Sequence, residues 1–207
     1  MQFKIKKTTY KISFTFLALI LYVLTVSKSR TISILMLFAI LHELVHLIFI
    51  YSFSVAPEMV TFNLLGANIK RGITATFKAN SEIIINASAP VFNIFTGVVF
   101  YLLSNYFSDY TAILSETANV NFVLGLFNLI PFYTFDGGNA LKYGLLKFLN
   151  ERKTEKIITS VSLIVTIVFS FVSIHIFLNY HHNFSLIIMC IYMFISIIFK
   201  KQNALDY

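Results

Sequence analysis

The stretch TISILMLFAILHELVHLIFIYSF, residues 31–53, decides how this chain is read. It is apolar over its whole length, yet it carries His42, Glu43 and His46 near its middle. A hydrocarbon core of about 30 Å takes about 20 apolar residues of helix, so the stretch reads as a membrane span. On a helix, positions i and i+4 project from one face, and His42 and His46 can therefore hold one Zn²⁺ between them. Glu43, beside the first imidazole, can reach a water on that ion as general base. Ionisable groups inside a bilayer are expensive and functional by default, and a divalent ion compensates all three at once. The competing explanation is a polar contact between helices.

Working outward, the composition agrees with a membrane setting. Of the 207 residues, 57% are hydrophobic and 12% charged, about half the charge of an ordinary soluble domain. That excludes a water-soluble globule and a charge-rich disordered chain. One cysteine, Cys190, excludes a disulfide framework. Six apolar stretches are long enough to be considered as spans: 12–26, 31–53, 82–103, 112–131, 156–178 and 184–199. With a cytoplasmic N-terminus, 14 of the 16 Lys and Arg residues fall in cytoplasmic segments, all but Lys28 and Arg30. Basic loops resist translocation, so both termini are expected in the cytoplasm. The net charge of +7 is then topological, and nucleic acid is not expected as a partner. The N-terminal lysines and the 12–26 stretch read as an uncleaved signal-anchor.

Two connecting segments carry structure. In 55–80, the partial alternation of Val60, Phe62 and Leu64, then Ile69, Ile73, Ala75 and Phe77, with Gly66 and Gly72, predicts short strands. In 132–155, Asp136-Gly137-Gly138 opens a segment whose residues 140–149 read as an amphipathic helix. The expected fold is an all-α polytopic membrane protein, a single domain over 1–207. It has six transmembrane helices and a small membrane-associated β-strand insertion between helices 2 and 3.

A catalytic zinc takes three protein ligands and an open fourth position. Candidates for the third are Glu82, Asp109, Glu116, Asp136, His175, His181 and His182. Span two runs inward, placing His46 about 10 Å from its cytoplasmic end at 1.5 Å per residue. Span four also ends on that side, and Asp136 follows it, which makes Asp136 the best-placed carboxylate. Its alternative role is the N-cap of the helix that follows.

His42-Glu43-x-x-His46 is followed about ninety residues on by Asn128-Leu-Ile-Pro131-Phe-Tyr-Thr-Phe-Asp136-Gly137-Gly138. Together these resemble the site-2 protease family, peptidase M50, of intramembrane zinc metalloproteases. The likeness is closest to the stage IV sporulation protein FB branch, which processes a membrane-tethered sigma-factor precursor. Ala89-Pro90-Val91-Phe92-Asn93 is similar to a further element of that family. The resemblance covers residues 31–150. It implies Asp136 as third ligand beside His42 and His46, with one Zn²⁺ per chain. It implies Glu43 as the catalytic base, and Asn93 as a residue lining the site that hydrogen-bonds the substrate or the oxyanion. It implies a membrane-tethered protein substrate and a site opening toward the cytoplasm. It leaves open an inhibitory membrane-protein partner. Val45 and Leu65-Gly66-Ala67 depart from the family's usual glycines, and no PDZ or CBS domain is expected after Phe199.

Two other readings compete. A membrane zincin of the CAAX-processing type would take Glu116 as its third ligand. A non-proteolytic membrane metal-binding protein or scaffold would need the histidines but not Glu43. The strands of 60–77, between the ligand helix and span three, are expected to pair with an extended substrate segment by β-addition.

Overall fold

A computed structural model of the chain describes residues 2–5, 8–25, 29–53, 58–63, 66–70, 78–180 and 184–203. The chain divides into two compact units, Met1–Leu129 and Ile130–Tyr207.

The first unit holds strands β1 (Gln2–Ile5) and β2 (Thr8–Ile12), then helices α1 (Phe14–Thr25) and α2 (Arg30–Ser52). Strands β3 (Met59–Asn63) and β4 (Gly66–Lys70) follow, then helices α3 (Ala79–Tyr106) and α4 (Thr111–Asn128). Ser29 caps α2, its hydroxyl accepting from the Ile32 N–H. Leu35, Leu37, Leu44 and Ile48 stand exposed on α2, as suits a helix whose outer faces meet lipid. Helices α3 and α4 pack closely because glycines admit the contact. A Cβ at Gly125 would lie 2.9 Å from the Pro90 carbonyl oxygen, and one at Gly97 would lie 2.9 Å from the Phe122 ring. Small residues at helix interfaces permit such backbone approach in membranes. Phe38 on α2 meets Phe100 on α3 edge to face, with ring centroids 5.8 Å apart.

The strands form one four-stranded sheet in the order β1-β2-β3-β4. The expected insertion is therefore only half of it. The Lys-rich N-terminus, read as the leader of a signal-anchor, is a hairpin whose second strand runs parallel to β3, Thr9 opposite Met59 and Ile12 opposite Phe62. Thr8 Oγ1 and the Tyr10 hydroxyl each lie 2.9 Å from the Tyr51 hydroxyl, tying the sheet to the end of α2. Burial, with the neighbouring Tyr51, pushes the Tyr10 phenol up to about 12, so it stays a hydrogen-bonding hydroxyl at neutral pH. The expected strand residues Ile73, Ala75 and Phe77 lie outside the described residues.

The second unit holds helices α5 (Asp136–Leu145), α6 (Glu151–Tyr180) and α7 (Phe184–Asn203). Its core is Phe132, Met193 and Ile197, with Val165 and Met189 packed against them. Helix α5 starts four residues earlier than the 140–149 reading, because Gly137 and Gly138 enter the helix instead of preceding it.

The structure is mostly helical, and α2, α3 and α6 are long and apolar enough to cross a membrane. Each of the six expected spans falls on a helix, but the other three fall short of that measure. Helix α1 has 12 described residues, α4 has 18 with a more polar sequence, and the apolar part of α7 is Phe184–Lys200.

Candidate metal centre

His42 and His46 lie one turn apart on α2, both buried, with ring centroids 4.9 Å apart and planes at 85°. The i, i+4 spacing thus brings both imidazoles together, as the sequence predicts. Glu43 stands beside them, half-buried.

The hydrogen bonds behind each ring fix its tautomer. His46 Nδ1 lies 2.9 Å from the Ile85 carbonyl oxygen on α3. A carbonyl only accepts, so Nδ1 carries the proton and Nε2 the lone pair. His42 Nδ1 lies 2.8 Å from Asn93 Oδ1. Asn93 Nδ2 donates to Asn121 Oδ1 at 3.1 Å, and Asn121 Nδ2 donates to the Thr117 carbonyl oxygen at 2.9 Å. The Thr117 oxygen can only accept, which orients the Asn121 amide, which orients Asn93. His42 Nδ1 must then be the donor, and its lone pair too sits on Nε2. Two imidazoles held from behind by acceptors, with their lone pairs at Nε2, suit a divalent metal.

In the second unit Asp136 is the first residue of α5 and is half-buried. Phe135 occupies the N-cap position without a side-chain capping bond, so Asp136 stands at the first helical position and not at the N-cap. The turn before it is tightly defined. The Phe132 N–H donates to the Ile130 carbonyl at 2.7 Å and the Phe135 N–H to the Phe132 carbonyl at 2.8 Å. A Cβ at Gly138 would lie 2.0 Å from the Phe132 oxygen, so only glycine fits. Tyr133 anchors the turn: its N–H donates to Ser162 Oγ at 3.0 Å and its hydroxyl to the Ser196 carbonyl at 2.6 Å. Burial raises the Tyr133 phenol above its ordinary value, keeping it a donor. Lys200 Nζ sits 4.7 Å from the Tyr133 ring centroid, and Glu155 pairs with both Lys142 and Lys200.

The remaining candidates separate from this chemistry. The Glu116 carboxylate is taken by Arg30 Nε at 2.5 Å and by Thr31 Oγ1, at the opposite end of α2 from the histidines. Twelve residues of helix, about 18 Å at 1.5 Å per residue, lie between Arg30 and His42, which removes Glu116 as a ligand. Glu82 is buried in the first turn of α3, and Asp109 is exposed on the short turn Ser108–Tyr110. His175 is exposed and lies 3.3 Å from Asn179 Nδ2 on its own helix. His181 and His182 lie outside the described residues. Asn121 belongs to the chain of hydrogen bonds behind His42, although nothing in the sequence analysis above singles it out. Its signal was the shared spacing of Asn93 to Gly97 and Asn121 to Gly125, an amide four residues before a close-approach glycine on each of two packed helices.

Comparison with known proteins agrees with this picture. The sequence model of peptidase family M50 matches residues 104–172, which include α4, the Asp136 turn and α5, and much of α6. Among solved structures, the site-2 protease from Methanocaldococcus jannaschii matches with a TM-score of 0.63 at 21% identity, covering 95% of this chain and 93% of that one. The chain therefore shares its fold with that protease. No curated protein matches it in sequence.

Proposed function

We propose that the chain is an intramembrane zinc metalloprotease of the site-2 type, a member of peptidase family M50 that hydrolyses peptide bonds in membrane-tethered proteins. The observation that carries this reading is the pair of buried imidazoles one turn apart on α2, with Glu43 next to the first; Asp136 is proposed as the third ligand. His42, His46 and Asp136 would supply the three protein ligands that a catalytic zinc takes. The fold likeness to a site-2 protease and the family match over 104–172 support the same conclusion.

Zinc, when bound, supplies a Lewis acid that polarises a carbonyl and makes water nucleophilic near neutral pH. The chain supplies the rest. His42 and His46 bind through Nε2 and Asp136 through its carboxylate. Glu43 accepts the proton of the attacking water and returns it to the leaving amine. Six helices cross the bilayer, α1 to α4, α6 and α7, with both termini and the mouth of the site on the cytoplasmic side, where the basic residues concentrate. A helical substrate must unwind to expose its amides. Strand β4 stands at one edge of the sheet, where an unwound segment can add as a further strand. The likeness of the Asn128–Gly138 segment to the sporulation branch points to a sigma-factor precursor as substrate.

Co-expression with candidate single-span proteins tests the proposal. Wild type should give a shortened product, and Glu43→Gln should lower its yield by at least about 100-fold, the usual worth of a general base. A Glu43→Gln variant that still processes the substrate would overturn the protease assignment.

A further inference from the structure

We propose that Asn121 is a positioning residue for the metal centre, acting on His42 through Asn93. The proposal rests on the metalloprotease reading for its purpose, though not for its geometry. Three facts carry it. Asn93 and Asn121 are each 0% exposed. Each amide is used at both ends, in one directed chain from the Thr117 carbonyl through Asn121 and Asn93 to His42 Nδ1. The chain crosses from α4 to α3 to α2, and Gly125 lets the first two helices approach closely enough to carry it.

The chain has a direction because its far end is a backbone carbonyl. An asparagine amide can present either end to a partner, so Asn93 alone would hold His42 equally well as donor or acceptor. With Asn93 Nδ2 toward His42, a proton would sit on the ring's Nε2, the atom that must bind the ion. Asn121 removes that state, since turning Asn93 over would set two amide oxygens, its own and that of Asn121, against each other. Asn93 is in consequence a support behind the ligand, which differs from the substrate-contacting role that the family resemblance implies. His46 needs no such device, because its acceptor is the Ile85 carbonyl itself.

The test uses the full chain in detergent micelles, labelled with ¹⁵N at histidine. Long-range ¹H–¹⁵N spectra of the metal-free protein report each neutral tautomer, and Zn²⁺ affinity is measured by competition with a chelator. In wild type, both His42 and His46 should carry the proton on Nδ1. In Asn121→Leu, which keeps the volume but neither hydrogen-bonding end, His42 should divide between two tautomers while His46 is unchanged. Zn²⁺ affinity should fall about 10–100-fold, the usual cost of losing such support. Asn121→Ser should behave alike. A wild-type His42 protonated on Nε2 would overturn the proposal. So would an Asn121→Leu protein with unaltered His42 tautomer and Zn²⁺ affinity. Loss of the His46 signature in both variants would overturn it too, by making Asn121 a residue of general packing. A wild-type chain with the expected tautomers that binds no Zn²⁺ would leave the hydrogen-bond chain standing and refute the metalloprotease reading instead.

Discussion

At the scale of single residues, the site is made by groups whose positions were legible to different degrees. The pair His42 and His46 was legible because helix geometry alone puts i and i+4 on one face. Asp136 enters as the proposed third ligand because, in sequence, it is the carboxylate that follows span four. Asn121 was not legible, since its meaning depends on the direction of an amide that only the Thr117 carbonyl settles. The reason for Gly138 was not legible either, because it is contact: the Phe132 carbonyl occupies the place of a side chain. Backbone cannot yield as a flexible side chain does, so Gly138→Ala should displace the turn and with it Asp136. Zn²⁺ affinity by chelator competition should fall at least about 10-fold, the lower end of the cost of misplacing a ligand's support. Gly144→Ala on the same helix, where a Cβ meets nothing within 4 Å, should leave it unchanged.

At the scale of elements, the Asp136 turn depends on helices far along the chain. Phe132 is buried against α7, and Tyr133 reaches both α6 and α7. These contacts were illegible because Ser162 and Ser196 look like incidental polar residues within apolar helices. Two substitutions separate the contacts by their cost. Tyr133→Phe removes a donor and should destabilise the protein by about 1 kcal/mol, the net worth of one hydrogen bond. Ser162→Ala removes the acceptor of the Tyr133 N–H and leaves that donor unmet. It should cost about 1–3 kcal/mol and give the lower midpoint in thermal unfolding of the purified protein. The opposite order would mean that the hydroxyl, not the main chain, fixes the turn.

At the scale of the whole molecule, the apolar stretches located the helices well, because hydropathy and length are local properties. The sheet was half missed. Strands β1 and β2 contain Lys4 and Lys11 and read as a charged leader, and their partner β3 comes some fifty residues later, on the far side of two helices. No local pattern announces such a pairing. The proposed orientation makes a direct expectation. With single cysteines introduced in a Cys190→Ala background, sites at residues 2 and 203 should react with an impermeant thiol reagent from the cytoplasmic side of inverted vesicles. Protection of either one there would refute the assignment of both termini to the cytoplasm.

The parallel ladder between β2 and β3 has one more consequence, independent of any count of lysines. Strands that share hydrogen bonds occupy the same aqueous compartment, so the chain between them must traverse the bilayer an even number of times. If α2 traverses once, α1 must make the compensating passage. Parity therefore predicts that α1 and α2 cross the bilayer as a pair or that neither does, whatever the charges flanking them.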